Sequence, residues 1–218
     1  MFTLAFDTTV NFCSIVLFEN KTEIDRFEKE MDFGQAETLI VQIDEMLKKH
    51  KLHFKDLSLA VVCTGPGSFT GVRSSISAAR AFKLACPDLN IAGISAFEAY
   101  ISELDYNEIS EVNAVIIETK REDFYIQYYD SKLNKIMPPS TAFGDDIIKF
   151  LSDKQVTLIG DGVERFLSRP SGLRLNCIKM KQNISIDNLA LTGLKKLSNK
   201  TLDFPKPLYL KAPDVCIK

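Results

Sequence analysis

The feature that most constrains this chain is the passage from Leu57–Cys63 into Gly65-Pro66-Gly67-Ser68-Phe69-Thr70-Gly71. The run Leu-Ser-Leu-Ala-Val-Val-Cys is almost wholly apolar, as a strand covered on both faces requires. From Thr70 to about Ala85 the spacing turns helical, with small residues at Ser74, Ser75, Ser77, Ala78, Ala79 and Ala81, and Cys86-Pro87 ends it. A buried strand, a glycine loop and a helix in this order belong to an α/β fold. The order also brings exposed amides and the positive end of a helix dipole to the loop, which suits an anion or a close backbone neighbour.

The flanking segments extend this pattern. Residues 2–6 and 12–18 are β-rich and read as a hairpin around Asp7-Thr8-Thr9-Val10-Asn11, with a third strand at 22–28. Ala36, Leu39, Ile40, Ile43, Met46 and Leu47 then fall on one helical face, which ends at Lys48-Lys49-His50-Lys51. Ile91–Ile94 predicts a strand, and Ser95-Ala96-Phe97-Glu98 has the spacing of a capping box at a helix start. Val112–Glu118 and Phe124–Tyr129 predict a second hairpin. A helix near 144–152, a strand at Val156–Ile159 and a helix capped by Asp187 follow. The expected architecture is a mixed sheet with packed helices, repeated in a second lobe: residues 1–104, then 105–218.

Hydrophobic residues at 45% and charged residues at 26% are enough to bury a core, so the chain is expected to be ordered. No basic leader opens the sequence, and no apolar stretch is long enough for a bilayer, so a cytoplasmic protein without a membrane partner is expected. Cys13, Cys63, Cys86, Cys177 and Cys216 are odd in number and far apart, which suits small buried side chains rather than a disulfide framework. The net charge of −2 conceals a division: residues 1–164 carry 16 basic and 26 acidic side chains, residues 165–218 carry 11 and 3. The basic ones are scattered without interleaved aromatics, which reads as a solvated face.

The motifs exclude several chemistries. No Gly-Lys-Ser or Gly-Lys-Thr follows the loop, so it is not a P-loop, and glycines at 65, 67 and 71 miss the dinucleotide spacing by one residue. Pro66 takes the place of the first glycine of a nucleophile elbow. His50 and His53 are the only histidines and sit at a lysine-rich helix end, which disfavours a histidine triad or a zinc site. Two readings of the loop remain open: a tight connection with glycines at positive φ and Thr70 capping the helix, or a phosphate seat. Asp7-Thr8-Thr9 is likewise either a hard-oxygen site for a hydrated cation or a turn closed by its own hydrogen bonds.

Leu4-Ala5-Phe6-Asp7-Thr8-Thr9, Cys13-Ser14-Ile15-Val16-Leu17, Gly65-Pro66-Gly67-Ser68-Phe69-Thr70-Gly71-Val72-Arg73 and Pro207-Leu208-Tyr209-Leu210-Lys211 together resemble the TsaB (YeaZ) family in order and spacing. The resemblance implies the actin, Hsp70 and sugar-kinase (ribonuclease H-like) fold. It also implies a part in forming N6-threonylcarbamoyladenosine at position 37 of tRNAs that read codons starting with A. In that family the protein pairs, as a heterodimer, with a catalytic paralogue, TsaD. TsaD carries the metal, and a small ATPase, TsaE, joins them. ATP and metal would thus be used by the partners, with no catalytic residue, metal or cofactor of this chain's own, and tRNA would be met through the complex. Where the paralogue places a His-x-x-x-His helix, this chain has Gln35-Ala36-Glu37-Thr38-Leu39. Relatives often have histidine at position 35, proline at 41 and Asp-Ala-Arg at Glu118-Thr119-Lys120.

Contact with a phosphate or a partner is accordingly expected at Asp7, Thr8, Gly65, Gly67, Ser68, Thr70, Gly71 and Arg73. The partner interface is expected on helices 36–49 and 70–85, at Leu39, Ile40, Ile43, Val72, Ser74, Ser77 and Ala78, the alternative being that these stripes simply cover the chain's own sheet. A homodimer of the isolated chain is a further expectation. The competing expectation is an ATP-dependent phosphotransferase of the same superfamily, using Asp7 and the 65–71 loop around the phosphates. Thr8 stands where such kinases often have glycine, and no catalytic base is evident. A peptidase is disfavoured, because no nucleophile and base pair is identifiable.

Overall fold

A computed structural model describes residues 1–169 and 172–211. The strands are β1 (Phe2–Asp7), β2 (Phe12–Glu19), β3 (Thr22–Glu30), β4 (Leu57–Cys63), β5 (Asn90–Ile94), β6 (Val112–Glu118), β7 (Asp123–Asp130), β8 (Ser140–Phe143), β9 (Gln155–Gly160) and β10 (Arg174–Met180). The helices are α1 (Gln35–Lys49), α2 (Phe69–Ala85), α3 (Ala96–Ile101), α4 (Gly144–Leu151), α5 (Val163–Leu167) and α6 (Ile186–Ser198). One sheet has the order β3-β2-β1-β4-β5 and the other β10-β9-β6-β7-β8. Read from its far edge, the second repeats the first. A three-stranded antiparallel meander is followed by two strands added parallel to its first.

In the first sheet Ala5 lies opposite Val16 in the antiparallel pair and opposite Val61 in the parallel one. Leu59–Cys63 is fully buried, as a central parallel strand covered on both faces must be. One face packs Leu4, Phe6, Ile15 and Leu17 against Leu39 and Ile43 of α1 and Ile76 and Phe82 of α2. Phe6 and Phe82 meet edge to face at 6.0 Å. Helix α6 packs on β1, β2, β4 and β5. It comes close because Gly193 has no side chain: a Cβ there would fall 2.4 Å from Val61 Cγ2. In the second sheet Ile116, Phe124 and Ile126 pack with Ile147 and Leu151 of α4 and Phe166 of α5.

The chain forms two compact units, Met1–Glu103 with Asn183–Pro207, and Leu104–Gln182 with Leu208 onward. The expected continuous lobe 105–218 is therefore corrected: the chain returns to the first unit for α6. The reason is packing. Ile186, Leu189 and Ala190 of α6 are fully buried on the first sheet, and helical spacing alone does not say which sheet an apolar stripe will cover.

Two caps also differ from expectation. Ser68, not Thr70, caps α2 by accepting from Gly71 N at 3.3 Å, and Ser185, not Asp187, caps α6. Asp187 instead accepts from Arg26 Nη2 at 2.5 Å. Strands β8 and β10 and the short α5 were not foreseen. Ser95 and Glu98 do form the reciprocal capping box. Cys13 and Cys63 are buried and Cys86 and Cys177 half-buried, all four as free thiols, while Cys216 lies outside the described residues.

Candidate functional site

Both segments singled out for chemistry, the turn after β1 and the loop after β4, meet at the ends of two parallel neighbouring strands. Gly71 would place a Cβ 1.8 Å from Thr8 O, and Gly67 would place one 2.4 Å from Thr9 O. These glycines exist for a backbone-on-backbone contact that any side chain would block. Ser68 N donates to Thr9 O at 2.7 Å, and Ala96 N donates to Gly65 O at 2.9 Å, tying the loop to the turn and to α3.

Thr8 completes the closure. Its hydroxyl donates to Gly71 O at 2.8 Å, so the Ser75 hydroxyl, also at 2.8 Å, donates to Thr8 in turn. Both residues are buried. Thr9 N donates to Asp7 Oδ1 at 2.9 Å, the local turn bond. Cys63 Sγ takes weak bonds from Gly65 N at 3.5 Å and Thr9 Oγ1 at 3.6 Å. The amides of Ser68 and Gly71 are engaged within the chain, the first by Thr9 O and the second by the Ser68 hydroxyl.

Burial pushes the Asp7 carboxyl above its ordinary value, against hydrogen bonds from Thr9 and Thr8 that pull it down. The neighbouring thiols respond: burial, then the charge of Asp7, raises Cys13 to about 11 and Cys63 well above the usual thiol range. A deeply buried carboxyl closing its own turn is a poor seat for a hydrated divalent ion, which keeps several waters. Among the described residues, no group of three or more His, Cys, Asp or Glu is gathered as metal ligands.

The expected interface residues divide. Leu39, Ile43, Val72 and Ala78 belong to the chain's own core, so these expectations are corrected: the apolar stripes of α1 and α2 face the sheet. Ile40 is 44% exposed, Ser77 is exposed and Ser74 is half-buried, its hydroxyl donating to Thr70 O at 2.9 Å. Phe33 (89% exposed), Val41 (54%) and Phe69 (41%) add apolar surface that sequence reading had not assigned. The Arg73 guanidinium lies 3.6 Å over the Phe69 ring, and Thr70 is exposed beside it. Gln35 Nε2 donates to Met31 O at 2.6 Å. His50 is half-buried, with Nε2 2.8 Å from Asp25.

The second unit repeats the device in other residues. Gly160, at φ 132°, would put a Cβ 2.1 Å from Ile116 O, so the strand end after β9 presses on β6 as the 65–71 loop presses on the β1 turn. Between Gly160 and Gly162, Asp161 Oδ1 accepts from Glu118 N at 3.0 Å, and Arg165 grips the Glu118 carboxylate at 2.6 and 2.8 Å. Burial, with the Glu118 charge adding and the Glu118 N–H opposing, raises the Asp161 carboxyl to about 7. Lys211 closes the same end with Asp123 at 2.5 Å. Sequence reading missed Asp161 and Ser75. The available signals were an acid between two glycines and a serine on a buried helix face.

The paired meander-plus-two sheets, with glycine loops seated on strand-end turns, define an α/β protein of the actin, Hsp70 and sugar-kinase type. Residues 34–209 match the family model described as TsaD: tRNA N6-adenosine threonylcarbamoyltransferase, and the chain belongs to that family. Within it the chain groups with the TsaB (YeaZ) proteins. A relative from Buchnera aphidicola, a tRNA threonylcarbamoyladenosine biosynthesis protein TsaB, is 28% identical over 75% of this chain and 76% of its own. A Pseudomonas aeruginosa structure, described as an uncharacterized protein with similarity to peptidase YEAZ, superposes with a TM-score of 0.79 at 15% identity over 96% of this chain and 99% of its own. YeaZ from the same organism gives 0.76 at 17% over the same shares. This membership ties the chain to the threonylcarbamoyladenosine modification of tRNA. Among the described residues no helix is long and apolar enough to cross a membrane.

Proposed function

We propose that this chain is a non-catalytic subunit that supports a TsaD-like catalytic paralogue in forming N6-threonylcarbamoyladenosine at position 37 of tRNAs reading codons that start with A. The observation that carries this reading is the closed turn and loop. Thr8 bonds to Gly71 and Ser75, Ser68 bonds to Thr9 and Gly71, and Gly67 packs against the Thr9 carbonyl, where a phosphotransferase of this fold would hold phosphates. ATP and the metal belong to the partners, a TsaE-like ATPase among them, and tRNA is met through the complex, in the cytoplasm.

The docking face is the outer surface of α1 and α2, around Phe33, Ile40, Val41, Phe69 and Ser77 rather than Leu39 and Ile43. A standard interface of roughly 1,600 Å² needs only a few such central apolar anchors. The same face serves a homodimer when the paralogue is absent.

The test is reconstitution with the paralogue from the same source, a threonylcarbamoyl donor and tRNA, read as modified nucleoside. The pair is expected to make product and this chain alone none. Ile40→Asp with Val41→Asp should leave the fold intact by circular dichroism while weakening pairing at least about tenfold. Turnover by the chain alone, or unchanged pairing in the folded variant, would overturn the proposal. Nucleotide titration of the isolated chain separates it from the phosphotransferase reading.

A further inference from the structure

At the end of β1 opposite the turn and loop, the first unit carries an open groove of about 680 Å³. Its apolar lining comes from Met1, Leu191, Leu194 and Leu197, and its charged lining from Lys21 and Lys195. Asn20, at φ 58°, fixes this corner, its N–H donating to Met1 O at 2.7 Å. Met1 is 48% and Leu191 41% exposed, so the apolar lining is partly open to water.

The charge around it is one-sided. No acidic side chain lines the groove, and neither Lys21 nor Lys195 is paired with a carboxylate among the described residues. The adjacent Lys196 differs, being held by Glu98 and Asp203 at 2.9 Å each. The α1 surface differs too: Glu37 and Glu45 are exposed beside Ile40 and Val41. The α1 surface is thus mixed in charge, with Arg73 over Phe69 as well, whereas the charged side chains lining the groove are basic alone.

We propose that this groove docks the apolar face of an acidic amphipathic helix from a partner protein. Leu191 stands exposed on α6 with half-buried Leu197 two turns on and Leu194, 7% exposed, beneath them, a row along which a second helix can lie in the usual mode of helix-in-groove recognition. Lysine side chains flanking such a row cover apolar surface with their stems and reach carboxylates on the sides of the incoming helix with their ammonium groups. A concave trough between a helix and a turn receives a cylinder, whereas a bilayer surface needs a convex or flat face. The inference is independent of the subunit proposal, since the α1 and α2 face takes no part in it.

The experiment uses the full chain and three probes. These are a fluorescein-labelled helical peptide with leucines on one stripe and glutamates beside them, a shuffled peptide of the same composition, and vesicles rich in phosphatidylglycerol. The ordered peptide is expected to bind at least about tenfold tighter than the shuffled one and to weaken as salt rises. Lys21→Glu combined with Lys195→Glu, and separately Leu191→Asp, should each weaken it by about tenfold with unchanged circular dichroism. Amide shifts on binding should gather on Met1, Lys21 and α6. Equal affinity for both peptides, no binding, shifts elsewhere, or capture by vesicles in place of the peptide would overturn the proposal.

Discussion

At the scale of single residues, glycines decide the site. Gly71→Ala would drive a methyl into the Thr8 carbonyl, and Gly67→Ala into that of Thr9. Both obstacles are backbone and cannot rotate away. Each variant is expected to lose roughly 2–3 kcal/mol of stability, read from the midpoint of urea unfolding. Unchanged midpoints would show that the loop does not sit on the turn.

Asp161 supplies a pH-dependent counterpart. Its folded pKa of about 7 lies above the unfolded value, so between about pH 4 and 7 the native chain holds more protons than the unfolded one. This group's contribution therefore favours folding at low pH and is lost as pH rises through that window. Asp161→Asn, whose carbonyl still accepts from Glu118 N, should match the wild type near about pH 4 and exceed it by about 2 kcal/mol near pH 8. A difference independent of pH would sink this account. The turn and loop were legible in the sequence because Asp-Thr-Thr and the glycine pattern are local signals. The raised Asp161 was not, because its burial comes from strands far apart in the chain.

At the scale of elements, sequence periodicity located α1 and α2 but left their stripes two meanings, a docking surface or a cover for the sheet. Leu39 and Ile43 recur at helical spacing because they cover a sheet. Burial separates Ile40 from Leu39, and no pattern along the helix could assign the partner of either. Strand β10 was missed because its half-buried side mixes Leu175 and Cys177 with Lys179 while its exposed side mixes Arg174 and Asn176 with Ile178 and Met180, which blurs the alternation. The four-residue β8 and five-residue α5 are too short for periodicity to register.

Helix α6 carries the prediction at this scale. It covers β1, β2, β4 and β5, so a chain ending at Gln182 should lose hydrogen-exchange protection throughout the first sheet while β6, β7 and β9 keep theirs. Equal protection in both sheets would show that α6 is dispensable.

At the scale of the whole molecule, two sheets of the same topology have diverged at corresponding ends. One closes its strand-end turn with hydroxyls and glycines, the other with the Glu118–Arg165 pair and Asp161. Repetition of strand order is what makes the α/β class readable from hairpin, strand and helix signals in each half. The excursion of 183–207 is what made the lobe boundaries unreadable, because no glycine or proline cluster marks its start at Asn183.

That excursion also bears on how the polypeptide is made. Synthesis runs from the amino end, so residues 1–103 leave the ribosome without the helix that covers their sheet. Every strand of the second sheet emerges before that helix does. At translation rates of roughly 5–20 residues per second, the uncovered sheet waits on the order of ten seconds for its lid. The sheet that begins first is covered only after every strand of the other has been made, and the nascent chain must shelter an apolar surface in the meantime.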